Sequence, residues 1–424
     1  MANNKKYFRE LGKLGQNKYG GIFYEEFLPE LRGKKGCEAY KEMADNDDII
    51  GAILFAMEML IRRVNWQVQP AGSTAADEKA AHFVESCLED MEQSWTDTIS
   101  EILSFLTYGW SYHEIVYKRR MGNQTDGKLR SKYQDGLIGW RKLPLRAQES
   151  LYAWEYDEND NLIGMQQMAA PDYQVKTIPL DKALHFTTKS RKGNPEGRSI
   201  LRNAYRDFYF KRRIQEIEGI GIERDLAGLP VLTPPEGVDI WNREDPEAAA
   251  ALSYAHSLVQ NVRRDALEGV VLPYGWNFQL LSGGGKRQFD TGAIINRYDQ
   301  RMAMSVLADF VFLGHESVGS FALSSDKTKL FATAIGTFLD IICGVFNNQG
   351  IPRLIDLNGN AFAGISGYPK LCHGDIEQQN LQELGNFLKD MTGAGILTPD
   401  EDLEQHIRTM AELPQKKRNA KARQ

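Results

Sequence analysis

The first strong apolar run, Ile49 to Arg63, follows four small polar residues, Asp45-Asn46-Asp47-Asp48, that offer caps, and this pairing predicts a helix. Asn65 to Pro70 alternates, with Trp66 and Val68 on one side, as a strand does. Helical periods return at about Thr74–Met91 and Thr96–Tyr108. Gly109 breaks the pattern, and Trp110 to Lys118 alternates again, with Tyr112, Glu114 and Val116 set against Ser111, His113 and Ile115. Residues 121–136 are polar and hold Gly122, Gly127 and Gly136, which predicts an exposed loop. Leu151–Tyr156 and Leu162–Met168 flank Asp157-Glu158-Asn159-Asp160-Asn161 as the arms of a hairpin, and Leu184–Thr188 is a further short strand. Ahead of all this, residues 1–39 are rich in Gly and Lys with scattered aromatics and predict a loosely ordered arm. The fold class of this half is α+β.

The most informative stretch is a long helix over 199–225. Ser199 can cap its start, and Gly228 and Pro230 stop it. About 27 residues would make a helix of about 40 Å. At about 100° per residue, Arg202, Arg206, Arg213 and Arg224 fall within roughly 40° of one another, and Asp207, Glu218 and Asp225 gather opposite. Leu201, Phe208, Phe210, Ile214 and Ile222 spread over the flanks instead of forming one core-facing stripe. Two arrangements suit such a helix: a solvated, salt-bridge-laced rod, or a ring in which each copy meets a neighbour on both sides.

Beyond it come Thr233-Pro234-Pro235, an Ala-rich helix from Pro246 to Arg263, and two short strands, Val270–Leu272 and Trp276–Leu281, closed by Gly283-Gly284-Gly285. A second long helix is predicted from about Gln288 to Leu313, then a Gly- and Ser-rich loop from Gly314 to Ser325 and a helix over Asp326–Asn347. Pro352–Leu357 and Ala361–Ile365 look like returning strands. Helices at about Glu377–Met391 and Pro399–Ala411 precede a basic end, Lys416 to Arg423, whose composition predicts disorder.

The run Gly197-x-Ser199-Ile200-Leu201-Arg202, then Tyr205, Phe210-Lys211-Arg212-Arg213-Ile214 and Gly221-Ile222-Glu223-Arg224-Asp225-Leu226-Ala227-Gly228-Leu229-Pro230-Val231, resembles the stem of tailed-bacteriophage portal proteins, and most of all their Mu-like branch. The resemblance extends from about residue 40 to about residue 412. It implies a portal-type fold: an N-terminal arm (1–39), an α/β wing (40–198), stem helix 1 (199–225), a small αβ clip (226–287), stem helix 2 (288–313), a tunnel loop (314–325), a wing return (326–370), a helical crown (371–412) and a basic tail (413–424). It also implies a structural ring of twelve copies at one head vertex, without enzymatic activity, through which double-stranded DNA passes in packaging and ejection. The partners it implies are further copies of the chain, the terminase large subunit, a head-completion or adaptor protein, and the major capsid and scaffolding proteins. Its place would be the virion, after assembly in the host cytoplasm. On this resemblance the DNA-facing groups are His315, Ser317, Gly319 and Ser320 with Lys327. The inter-subunit groups are Arg202, Arg206, Asp207, Arg213, Glu218 and Arg224, and the docking groups of the clip are Trp241, Arg243, Arg263 and Arg264.

Composition bounds these expectations. A chain of 424 residues suggests two or more domains. The formal charge of −6 argues against a protein that grips nucleic acid over its whole surface. Twelve copies at −6 would total about −72, which disfavours tight phosphate binding and suits a conduit. Cys37, Cys87, Cys343 and Cys372 have no paired spacing and read as free thiols, and the N-terminus carries no apolar signal-peptide run. Leu330 to Phe346 is nearly long enough to cross a membrane, but Asp340, Thr333 and Thr337 interrupt it, so a buried helix and no membrane partner are expected.

Alternative chemistry finds little support. Ser282-Gly283-Gly284-Gly285-Lys286-Arg287 lacks the spacing of a P-loop and the Ser or Thr that would hold magnesium, so no cofactor is expected, although a nucleotide-binding enzyme built on Gly283–Gly285 remains an alternative. No two histidines pair at three or four residues, and four zinc ligands do not assemble. The other alternative is a non-ring helical scaffold or adaptor.

Overall fold

A computed structural model describes residues 12–189, 191–227, 229–242, 244–261, 271–281, 290–308, 321–374 and 389. The chain divides into two compact units, Met1–Ala204 with Ala303–Gln424, and Tyr205–Met302.

The first unit opens on a small hairpin, β1 (Lys18–Tyr19) and β2 (Ile22–Phe23), followed by α1 (Gly33–Asn46). The described part of the predicted loose arm is therefore folded. Phe23 and Leu31 are buried, and the Trp154 N–H donates to Gly21 O at 3.0 Å, so the arm is tied to distant chain. Next come α2 (Asp48–Arg63), whose Asp47 cap accepts from the N–H groups of Ile49 and Ile50, and β3 (Trp66–Gln69). α3 (Ala75–Glu89) is capped by Thr74. The helix expected over 96–108 is two, α4 (Trp95–Ile102, capped by Ser94) and α5 (Ser104–Tyr108), ended by Gly109 at φ +93°.

The strand expected over 110–118 is also two, β4 (Trp110–Glu114) and β5 (Val116–Arg119). They part because fully buried Ile115 donates its N–H to Lys182 O at 2.8 Å, so β4 pairs with one sheet and β5 with another. β6 (Ile138–Lys142) pairs with β5. β7 (Leu151–Tyr156) and β8 (Leu162–Met168) form the expected hairpin, and β9 (Val175–Pro179) extends it to three antiparallel strands. β10 (Ala183–Thr187) pairs antiparallel with β4, Leu184 opposite His113.

In the second unit, α6 (Tyr205–Ala227) leads to β11 (Leu229–Thr233), α7 (Pro246–Asn261), β12 (Asn277–Leu281) and α8 (Thr291–Ser305). β11 and β12 pair antiparallel, with Val231 opposite Gln279. Ala248, Ala255 and Ile240 are buried in this unit, and the Tyr254 hydroxyl donates to Val271 O at 3.0 Å. α8 ends earlier than expected: Leu307 turns at φ +61°, although nothing in its sequence announces a stop.

The chain then returns to the first unit. α9 (Phe321–Val345) begins inside the segment expected as a loop to Ser325. It continues through a π-turn (Phe346–Gly350) into α10 (Ile351–Leu357), and β13 (Lys370–His373) pairs with β3. The expected strand over 352–357 is thus a helix. Pro352 sits in its first turn, directly after the π-turn. Residues 361–365 hold only the end of a 3-10 turn. Lys329–Leu357 is apolar and long enough to cross a membrane by length and composition. Phe331, Ile335, Leu339, Ile342 and Phe346 recur every three to four residues along it and are buried in one core with Phe105, Phe186 and Trp140. The segments 377–388 and 390–412 lie outside the described residues.

Candidate functional site

The residues singled out from the sequence fall in three places. The first is the junction into α6. Ser199 caps a 3-10 turn, Ile200–Asn203, by accepting from the Leu201 N–H, and the α-helix begins only at Tyr205. Arg202 therefore does not continue the basic stripe. Its Nε and Nη2 donate to the two carboxylate oxygens of Glu26 at 2.7 and 2.5 Å, both groups about a quarter exposed. Burial would raise the Glu26 carboxyl, but the Arg202 hydrogen bonds and the Leu28 N–H hold it below its ordinary value. An expected inter-subunit residue is thus a clasp between the N-terminal arm and the entry to α6.

The second place is the pair of α6 and α8. Asp207 and Glu218 do not form an outward acidic stripe. Glu218 accepts a short hydrogen bond from the Thr291 hydroxyl, and Asp207 lies 4.0 Å from Arg301. Sequence inspection missed the ion pair beside them, Lys211 with Asp299 at 2.6 Å, in which Lys211 is 2% exposed. The only hint was that Lys211 falls on the acidic side of the helical wheel. Phe210 stacks on Tyr298 with ring centroids 6.5 Å apart. The acidic side of α6 is therefore met by α8 of its own chain.

The basic side remains outward. Arg206, Phe210, Arg213, Ile217 and Ile220 share an arc of roughly 80°. Tyr209, Phe210, Ile217 and Ile220 are 56, 41, 54 and 51% exposed. Arg206 lies 5.8 Å from the Phe210 ring centroid, and among the described residues Arg213 pairs with Glu216 of its own helix. On α8, Arg297 and Arg301 are exposed and no acidic residue accompanies them outward. Arg224 is in α6.

The third place is the β11–α7–β12 insert, where Trp241 is 71% exposed and its N–H is held by the Asp239 carboxylate at 2.9 Å. Arg243, Arg263 and Arg264 lie outside the described residues, as do His315, Ser317, Gly319, Ser320 and Gly283–Gly285. Lys327 belongs to the second turn of α9. Among the described residues no group of three His, Cys, Asp or Glu side chains converges to hold a metal ion, and the four thiols are free. His373 instead pairs with Asp340 at 3.2 Å.

The chain matches the model of a family described as "Portal protein of Mu bacteriophage" over residues 37–409. Among solved structures it is similar to a chain of the virion of a native gene transfer agent (GTA) particle, 11% identical, with 94% of this chain and 97% of that one covered and a TM-score of 0.53. A chain from the neck of an empty GTA particle is 12% identical, with 89% and 94% covered and a TM-score of 0.52. An HK97 family phage portal protein from Corynebacterium diphtheriae is 10% identical, with 80% and 94% covered and a TM-score of 0.42.

Proposed function

Since the chain belongs to the Mu-type family of phage portal proteins, we propose that twelve copies of it close into a structural ring at one vertex of a phage head. The family match over residues 37–409 carries this reading. The outward face of α6 supports it, because half-exposed Tyr209, Phe210, Ile217 and Ile220 are an apolar surface that a neighbouring copy would cover. A heterologous contact repeated from copy to copy closes into a ring when the rotation allows.

In this ring double-stranded DNA passes through the channel without sequence specificity, inward during packaging and outward during ejection. His315, Ser317, Gly319 and Ser320, with Lys327 at the start of α9, are the proposed channel groups. The β11–α7–β12 insert is the proposed clip. There Trp241, Arg243, Arg263 and Arg264 would meet the terminase large subunit and later the neck adaptor, while the first unit would face the capsid and scaffolding proteins. Assembly would take place in the host cytoplasm and the finished ring would remain in the virion. The decisive experiment is negative-stain imaging of the purified full chain, with mass measured in solution: stain-filled rings are expected, and a monomer or dimer at micromolar concentration and physiological salt refutes the reading.

A further inference from the structure

A cavity of about 310 Å³ lies in the first unit, between the N-terminal arm, the first half of α1, the end of α5, and Lys189 with the segment 191–202. Two glycines shape it. A Cβ on Gly109 would lie 2.6 Å from Glu196 O, and one on Gly197 would lie 2.2 Å from Gly109 O, so only bare backbone lets these segments meet. The Thr188 hydroxyl locks the contact by donating to Arg198 O at 2.6 Å, and the His185 ring bonds Pro195 O at 2.8 Å. Glu196 is thereby held in the cavity wall together with Cys37, Tyr40, Tyr108 and Trp110.

The charges that line the cavity are unevenly matched. Glu26 is paired with Arg202, and Glu25 meets Lys192 at 3.3 Å. Arg32 donates to the carbonyl oxygens of Glu26 and Phe27, and Arg198 donates to Asn203. Glu196 has no such partner. Among the described residues its side chain accepts one hydrogen bond, from the neutral Trp154 indole N–H at 3.3 Å, and no cation pairs with it. Burial pushes its carboxyl up to about 7, with only that indole opposing. Glu149 adds to the negative field that Glu196 makes at the Cys37 thiol. Lys189 and Arg191 are exposed and line the mouth.

A carboxylate among aromatic rings, with no cation of its own, is the complement of a guanidinium or ammonium on an apolar stem. The rings take the stem and face the cation, and the carboxylate takes the charge. A basic mouth is the complement of a carboxylate at the far end of the same molecule. The volume is at the small end of ligand pockets, which run from about 300 to 1,000 Å³. We propose that this cavity binds a small amphoteric ligand of the basic amino-acid class, its guanidinium or ammonium on Glu196 among Tyr40, Tyr108 and Trp110, and its carboxylate towards Lys189 and Arg191. Bound there, the ligand bridges α1, α5 and the stretch Gly197–Arg202 that enters α6.

Calorimetric titration of the full chain with L-arginine at pH 8 should show one saturable site per chain. L-Citrulline, the uncharged counterpart, should bind at least tenfold more weakly, and agmatine, which lacks the carboxylate, at least threefold more weakly. Lowering the pH from 8 to 6 should weaken arginine binding about tenfold, because a proton then competes with the ligand for Glu196. The other titratable groups around Glu196 are Cys37 and Tyr40 of α1, Tyr108 of α5, Glu149, Tyr156 of β7 and His185 of β10. Burial pushes Cys37 and Tyr108 up to about 12, raises Tyr40 and Tyr156 as well, and lowers His185 to about 4, so these five keep their charge between pH 6 and 8. Glu196→Gln, checked for its fold by circular dichroism, should cut the affinity at least tenfold and remove the pH dependence. No saturable binding up to millimolar arginine, equal binding of citrulline or agmatine, or an affinity that Glu196→Gln leaves unchanged overturns the proposal. The ligand comparison and the pH series use the unaltered chain and none of the readouts depends on ring formation, so their failure would leave the portal reading intact.

Discussion

The outward face of α6 offers the sharpest test of how copies associate, because two forces compete there. Burying a large aliphatic or aromatic side chain completely is worth about 1.5–3 kcal/mol. Ile217 and Ile220 are 54 and 51% exposed, so a neighbour that covers them gains about 1 kcal/mol from each. An exposed ion pair made by Arg213, whose side chain is 68% exposed, is worth at most about 1 kcal/mol. The double variant Ile217→Ser, Ile220→Ser should therefore lose about 2 kcal/mol per interface, which is about 30-fold in association. Arg213→Glu should change association by no more than about fivefold. Sedimentation velocity over a concentration series reads both, with circular dichroism to show that the fold is kept. If Arg213→Glu disperses the oligomer and the double serine variant does not, charge rather than apolar cover holds the copies together and the argument fails. Because Glu218 and Asp207 are engaged by α8, reversing Glu218 should not rescue Arg213→Glu.

Three further outcomes follow from the first unit. A double-mutant cycle on Glu26→Gln and Arg202→Gln should give a coupling of about 1–2 kcal/mol in urea unfolding. Glu26 is held below its ordinary range, so this support is present above the unfolded carboxylate value of 4.5 and is lost as pH falls through the lower folded value. A coupling near zero would return Arg202 to the pool of interface residues. Lys118→Met should cost about 3–5 kcal/mol, because Asp90, 3% exposed and 3.0 Å from the lysine, would keep only the Ser131 hydroxyl and the Lys132 N–H. A melting temperature within a degree of wild type would refute it. Desolvation lowers His113 and His185 from 6.5 to about 4, so the unfolded state binds more protons in that range and stability should fall as pH drops from 6.5 towards 4, on the order of 3 kcal/mol for each. Glu196, raised to about 7, acts in the opposite sense, losing stability as pH rises from 4.5 to 7. Melting curves against pH are therefore best compared in a Glu196→Gln background, where His185→Gln should flatten the acid limb.

Where a local signal settles a local structure, the sequence was a sufficient guide. Asp47, one of the four polar residues ahead of the apolar run, caps α2, and Thr74, where the next helical period begins, caps α3. The Asp157–Asn161 turn sets the β7–β8 hairpin, with Asp157 accepting from the N–H groups of Asn159 and Asn161. What stayed hidden depends on partners far along the chain. The arm looked loose because Gly and Lys dominate it, yet Glu26 finds Arg202 across 176 positions. Pro352–Leu357 looked like a strand because Leu354, Ile355 and Leu357 make it a short apolar run, but α9 feeds into it through the π-turn and Leu354 and Ile355 pack in the core. Tertiary burial overrides so weak a local preference.

The long helix shows the same limit in its charges. A wheel of α6 separates Arg206 and Arg213 from Asp207 and Glu218, and the separation is real. A wheel cannot say which side another helix of the same chain will take. α8 takes the acidic side, and Lys211, one lysine on that side, is buried against Asp299. In this helix pair Asp207, Glu218 and Asp299 are engaged between the helices, while Arg213 and Arg297 are exposed together with Glu216, although the whole chain carries a net −6. The positive surface of α6 and α8 is therefore local, and it is interleaved with Tyr209, Phe210, Ile217 and Ile220. Such a face is too apolar to remain in water over many copies and too sparsely charged to grip a polyanion by itself. Contact with a further copy of the chain would remove the apolar groups from water, while Arg301 of α8 stays beside Asp207.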